Sequence, residues 1–134
     1  VTTFIDKLAY ICIRDRKVLV TRSRNSAGVY YLPGGKREGD ETDHEALRRE
    51  VMEELAVELD VPSIAYMETF TAQAHNKPEG VLVRMTCYTG EMLGEPQPST
   101  EVDDMDWYTY ADKQRTSPVD HLIFDWLKEK ALID

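Results

Sequence analysis

Three glutamates, Glu50, Glu53 and Glu54, stand at i, i+3 and i+4 in a segment that also carries Leu47, Val51 and Leu55. On a helix, which turns 100° per residue, their carboxylates fall within an arc of about 100°, along one edge of the apolar stripe. Bare like charges at that spacing repel, and a cation between them is the natural way to stabilise the group. Oxygen donors alone suit a hard ion, Mg²⁺ or Mn²⁺. A run of Glu on an arbitrary helix is a solvated face more often than a metal site. Two features favour metal here: the acidic arc borders the core stripe, and a Gly34-Gly35 turn followed by Lys36 and Arg37 precedes the helix. A glycine turn lets backbone groups approach phosphate or metal closely, and the two basic residues offer countercharge to an anion.

The spacing of these residues resembles a known family. From Gly35, five residues lead to Glu41 and seven more to Arg49, followed by Glu50, the aliphatic Val51, and Glu53-Glu54. This is similar to the Nudix box, G-x5-E-x7-R-E-U-x-E-E-x-G-U with U aliphatic, whose fixed positions match by chance with a probability of roughly 10⁻⁵ over a chain of this length. The resemblance implies an α/β protein with a Nudix-type α/β/α sandwich, a mixed central sheet flanked by helices, and a divalent-metal hydrolase acting on a nucleoside diphosphate linked to another group. It implies metal binding by Glu50, Glu53 and Glu54, with Glu50 orienting water and the carbonyl of Gly34 or Gly35 completing the coordination. Glu41 and Arg49 become supports that tie the loop to the helix through a salt bridge; a solvated helix arginine is the plain alternative for Arg49. Glu101 with Trp107 resembles the E-x5-W segment of many MutT-like members, which makes Glu101 a further ligand or general base, or else an ordinary loop glutamate. The box departs at one place. Ala56 stands where the family has glycine, and forcing alanine into a left-handed helix end costs on the order of 1 kcal/mol. The expected end is therefore a helix without that turn, or one turn longer.

The favoured activity is Mg²⁺-dependent hydrolysis of a nucleoside triphosphate, in the manner of a MutT-like pyrophosphohydrolase. A dinucleotide polyphosphate or nucleotide-sugar hydrolase is the second reading, and a catalytically silent nucleotide-sensing module the third. Arg22 and Arg24 lead into the loop facing the Gly-Gly turn and could hold phosphate, or simply end a hairpin. Tyr30 and Tyr31 alternate in direction, so one of them could stack on a base.

The elements that position these residues are legible in outline. Phe4–Ile13 and Val18–Thr21 read as strands joined by a charged turn, the first with both faces apolar and therefore central. Val29–Leu32 reads as a strand ended by a sharp Pro33-Gly34-Gly35 turn. Thr42 and Glu45 form a capping box, which predicts a helix from Asp43 to about Leu55. Ile64–Ala74 and Val81–Met92 read as strands about a turn at 75–80, Gly94–Ser99 as a loop, and Met105–Tyr110 as a short strand. Ser117, Pro118 and Asp120 predict a second boxed helix, with Val119, Leu122, Ile123, Trp126 and Leu127 as its apolar stripe.

At 134 residues, with 42% hydrophobic content, the chain suits one domain over 1–134. Sixteen Lys+Arg against 25 Asp+Glu leave a net charge of −9, which opposes binding to nucleic acid or anionic membranes. No apolar run approaches the ~20 residues of a membrane span. The expectation is a cytoplasmic enzyme, monomer or homodimer, whose partner is a small-molecule nucleotide. Cys12 and Cys87 lie in apolar runs and read as buried small hydrophobes.

Overall fold

A computed structural model describes residues 2–74 and 76–134; Val1 and His75, the latter assigned above to the 75–80 turn, lie outside the described residues. In chain order the elements are β1 (Thr3–Tyr10), β2 (Ile13–Arg14), β3 (Lys17–Ser23), β4 (Gly34–Gly35), α1 (Asp43–Leu55), β5 (Glu58–Leu59), β6 (Ala65–Gln73), β7 (Val81–Thr89), β8 (Met92–Leu93), β9 (Val102–Tyr108) and α2 (Pro118–Glu129). A four-stranded mixed sheet has the order β4-β1-β7-β6, with β1 parallel to β7 and the other pairs antiparallel. An antiparallel sheet β2-β3-β9 and a small β5-β8 pair complete the strands.

Alternation along β1 builds the sandwich. Leu8, Tyr10 and Cys12 pack with Leu47, Val51 and Leu55 of α1, while Ala9 and Ile11 pack with Ile123, Phe124 and Leu127 of α2. The central position of β1 is thus as its two apolar faces require. Its expected hairpin with Val18–Thr21 holds only at the turn end, as Ile13↔Val18, because the strand breaks after Tyr10. Ile11 still donates to the Tyr88 carbonyl at 2.8 Å, but the Cys12 carbonyl then accepts from Leu19 at 2.9 Å, so the chain crosses there from one sheet into the other. The true hairpin is β2-β3, whose turn places Asp15 and Arg16 at φ 51° and 61°. Two consecutive left-handed residues match the right-handed strand twist, which is why so short a turn suffices.

The expected strand Val29–Leu32 reduces to isolated bridges, Tyr31 to Thr21 and Tyr30 to Thr116. The glycines expected to end it as a turn are themselves the strand β4, paired to β1 through Leu8↔Gly35 and Ala9↔Gly34. A Cβ on Gly34, at φ 145°, would lie 2.0 Å from the Leu8 carbonyl oxygen, so this close ladder demands glycine.

Helix α1 begins as its box predicts: the Thr42 hydroxyl accepts from the Glu45 N–H at 3.2 Å, and the Glu45 carboxylate accepts from the Thr42 N–H at 2.9 Å. Its other end corrects the expectation. Ala56 takes the left-handed conformation, φ 55° and ψ 37°, and donates to the Met52 carbonyl at 3.1 Å. The strain is offset by what the turn allows. Val57 returns to the α1 side of the core, and the loop before β9 satisfies the last helical carbonyls: Gln97 N–H bonds Leu55 at 2.8 Å, Ser99 N–H bonds Glu54 at 3.1 Å, and the Ser99 hydroxyl bonds Glu53.

The second helix also differs in detail. The Ser117 hydroxyl donates to the Asp120 carboxylate at 2.9 Å instead of capping the backbone, because Asp120 is turned fully inside. A reciprocal box forms instead at Thr109 and Asp112. The buried stripe contains Phe124, whereas Leu122 is exposed and Trp126, half-buried, meets Phe70 edge-on. Both cysteines are buried and free. No helix among the described residues is long and apolar enough to cross a membrane.

Two stability predictions follow from these positions. Ala56→Gly removes the Cβ strain and should raise unfolding stability by about 0.5–1 kcal/mol, read as a higher urea midpoint at unchanged slope. Burial pushes the Asp120 carboxyl up to about 7. A carboxyl raised in the fold contributes stability that is complete below its ordinary range and is lost as pH rises through that higher value. Asp120→Asn, which cannot ionise, should therefore flatten the decline in stability between about pH 4 and 7 in denaturation series.

Candidate active site

Arg49 lies at the centre of the acidic group. Its Nε and Nη2 grip both oxygens of Glu41 at 2.7 and 3.0 Å, and Nη2 also donates to the Lys36 carbonyl at 2.9 Å. Nη1 meets Glu50 at 2.9 Å and Glu53 at 3.1 Å. The same Glu41 carboxylate accepts the Glu38 N–H at 2.7 Å, and Arg49 holds it below the usual carboxylate range. One forked cation thereby ties loop 36–41 to the helix and neutralises two further glutamates, which a single ammonium could not do with this geometry.

Glu54 is turned the other way. It accepts from the Gly34 N–H at 3.2 Å and the Thr21 hydroxyl at 3.3 Å, so the helix, β4 and β3 meet on one carboxyl group. Burial, then the Glu50 carboxyl beside it, push Glu54 up to about 9, against the pull of Gly34 and Thr21. Burial also raises Glu53, with the charges of Glu50 and Glu101 adding to it and Arg49 opposing. Gly35 runs against the Glu50 carboxyl, where an added Cβ would sit 2.6 Å from its nearest oxygen.

A cavity of about 350 Å³ opens beside this group, lined by Glu54 and Glu101, by Gly34 and Gly35, by Thr21, and by Lys7, Tyr31 and Met85. Among the described residues no three acidic, His or Cys side chains converge on one point, since Glu50 and Glu53 turn to Arg49 while Glu54 turns to Thr21 and Gly34. The donor set nevertheless fits a divalent cation in atom type and charge. Two carboxyls side by side, one half-buried and pushed up in pKa, are the arrangement a hard cation relieves, and every side-chain donor is oxygen.

The remaining candidates are distributed unevenly. Arg22 donates to Asp103 at 2.9 Å and lies 5.3 Å over the Tyr30 ring, and Arg37 donates to Asp43 at 2.6 Å. Among the described residues no carboxylate lies within 4.0 Å of the Lys36 ammonium. Tyr31 lines the cavity, while Tyr30 is buried and bonded to Asp104. Trp107 packs against the α1 side of the core, as a core tryptophan would. The sequence reading missed Lys7, Thr21 and Met85. Only Lys7 left a trace there, as a charge directly before the apolar run Leu8–Ile13.

Residues 7–127 match the family profile described as NUDIX domain. The chain belongs to the Nudix hydrolase family. Solved structures agree on the fold. The E. coli ORF135 protein superposes with a TM-score of 0.70 at 25% identity, covering 96% of this chain and 94% of that one. The MutT protein from Methanosarcina mazei Go1 gives 0.75 at 19% identity, covering 96% of each chain. A MutT Nudix hydrolase from Burkholderia pseudomallei gives 0.71 at 21%, covering 97% and 96%. Comparison with curated protein sequences gives no match. Nudix hydrolases generally use divalent metal and act on small nucleotide substrates.

The two glycines should respond differently to alanine. Gly34→Ala drives a Cβ into backbone and should cost about 2–3 kcal/mol, measured as a lower urea midpoint. Gly35→Ala meets only the movable end of Glu50, and should leave the midpoint within about 1 kcal/mol of the parent while sharply reducing activity.

Proposed function

We propose that this hydrolase, one domain over 1–134, cuts a phosphoanhydride bond of a nucleoside triphosphate or related nucleoside diphosphate-X compound, as a MutT-like pyrophosphohydrolase with Mg²⁺ as cofactor. The observation that carries the reading is the Glu50–Glu54 pair beside the cavity, Glu50 set against Gly35 and the half-buried Glu54 held by the Gly34 N–H and the Thr21 hydroxyl. Glu50, Glu53 and Glu54 with the Gly35 carbonyl would hold the ion, and Glu101 is the further carboxylate lining the same cavity. When bound, a divalent cation there supplies polarisation of phosphoryl oxygens and a lowered pKa for the attacking water.

The chain's own residues do the rest. An anionic polyphosphate needs positive charge in a protein of net charge −9, and Lys36 offers it without a carboxylate to displace. Arg37 and Arg22 offer it by exchanging Asp43 and Asp103 for phosphate oxygens. Arg49, fixed by Glu41, holds Glu50 and Glu53 in place as the charge about them changes. Catalysis then rests on positioning and charge stabilisation of in-line attack at phosphorus, with no covalent intermediate.

Pyrophosphate or phosphate release from nucleoside triphosphates should require Mg²⁺ and stop on chelation. Glu53→Gln should lower kcat at least about a hundredfold with the urea midpoint near that of the parent. Undiminished turnover in that variant would remove Glu53 from the site. Phosphorus NMR of products formed in ¹⁸O-labelled water identifies the bond cut.

A further inference from the structure

The cavity beside Glu54 does not end there. A second hollow of about 200 Å³ shares Lys7, Tyr31 and Met85 with it and runs on to Ser117–Val119 at the start of α2. Lys7 therefore stands at the waist between the acidic end and the inner end. It is half-buried on β1, directly beside Met85 of β7 in the ladder. Among the described residues, no carboxylate lies within 4.0 Å of its ammonium. Burial depresses its pKa, the charges of Lys36 and Lys77 add to that, and Asp120 and Glu50 oppose them. A half-buried ammonium with three donors and no carboxylate within reach among the described residues has donors to offer a ligand, in a slot walled by an aromatic ring and a thioether.

We infer that Lys7 is a specificity-determining residue: its ammonium reads the base of the bound nucleotide by donating to a keto oxygen, while Tyr31 and Met85 flank the ring. The inference rests on the nucleotide-hydrolase reading and adds the substrate class. Guanine and uracil present a carbonyl where adenine and cytosine present an exocyclic amino group. An amino group facing an ammonium puts donor against donor and leaves both unpaired as water is excluded, so the two amino bases are disfavoured. Lys7 lies beyond the Gly34–Gly35 edge, on the face of β1 opposite Leu8, which is where a base would be carried if the phosphates sit at Glu54.

The test compares kcat/KM for GTP, UTP, ATP and CTP in the parent enzyme, Lys7→Met and Lys7→Arg. The parent should favour the keto pair at least about tenfold. Lys7→Met should bring the ratio to within about twofold of one, with the loss falling on GTP and UTP, and Lys7→Arg should retain most of the preference. An equal loss on all four substrates in Lys7→Met would make Lys7 a phosphate contact and overturn the inference, as would a parent enzyme with no preference. Calorimetry with GMP, UMP, AMP and CMP separates this from the activity itself. Keto-selective binding without turnover of any triphosphate defeats the hydrolase reading alone, whereas turnover without base preference defeats the role of Lys7 alone.

Discussion

A cluster of carboxylates beside a hydrophobic core is an electrostatic burden, and this fold carries it through Arg49. The guanidinium has enough donors, in a fixed plane, to engage Glu41 with two of them and still reach Glu50, Glu53 and the Lys36 carbonyl. Helix α1 can present acids along the edge of its buried stripe because this one side chain absorbs the repulsion. The same contact sets the distance between the helix and the 36–41 loop. Placement of β4 follows, since the loop begins where Gly34 and Gly35 leave the edge of β1.

Glu54 is the counterpart on the inner side. With no cationic partner among the described residues, it is held by a hydroxyl and a backbone N–H, and burial pushes it up to about 9. Arginine-paired acids on one flank and a half-buried acid held by neutral donors on the other give the helix edge two electrostatic characters within one turn. That asymmetry, more than the count of glutamates, distinguishes it from a solvated acidic face.

What could be read from the sequence was what depends on neighbours along the chain. The bounds of α1 follow from Thr42, Glu45 and the Leu47/Val51/Leu55 period, all local, and the Nudix spacing is itself carried by one loop and one helix. Reading failed where distant partners decide. The break after Tyr10 is made by Tyr88 on one side and Leu19 on the other, and the strand character of Gly34-Gly35 exists only because β1 lies beside it. Alanine at 56 was expected to forbid a left-handed turn, but bonds from residues more than 40 positions away reward that turn. In the site, the glutamates were visible as a pattern, whereas Thr21, Met85 and the waist position of Lys7 arise from sheet register, which no local spacing announces.

The stitching of Gln97 and Ser99 to the carbonyls of Glu53, Glu54 and Leu55 makes the helix end and the approach to β9 a single mechanical unit. Glu101 is two residues from that seam, so its reach toward the cavity is metered by chain length. Insertions or deletions between 95 and 101 would swing it away. The turn at 76–80 makes no hydrogen bond to that seam and is tied instead to Gln73 of β6, so a change of length there would leave the reach of Glu101 untouched.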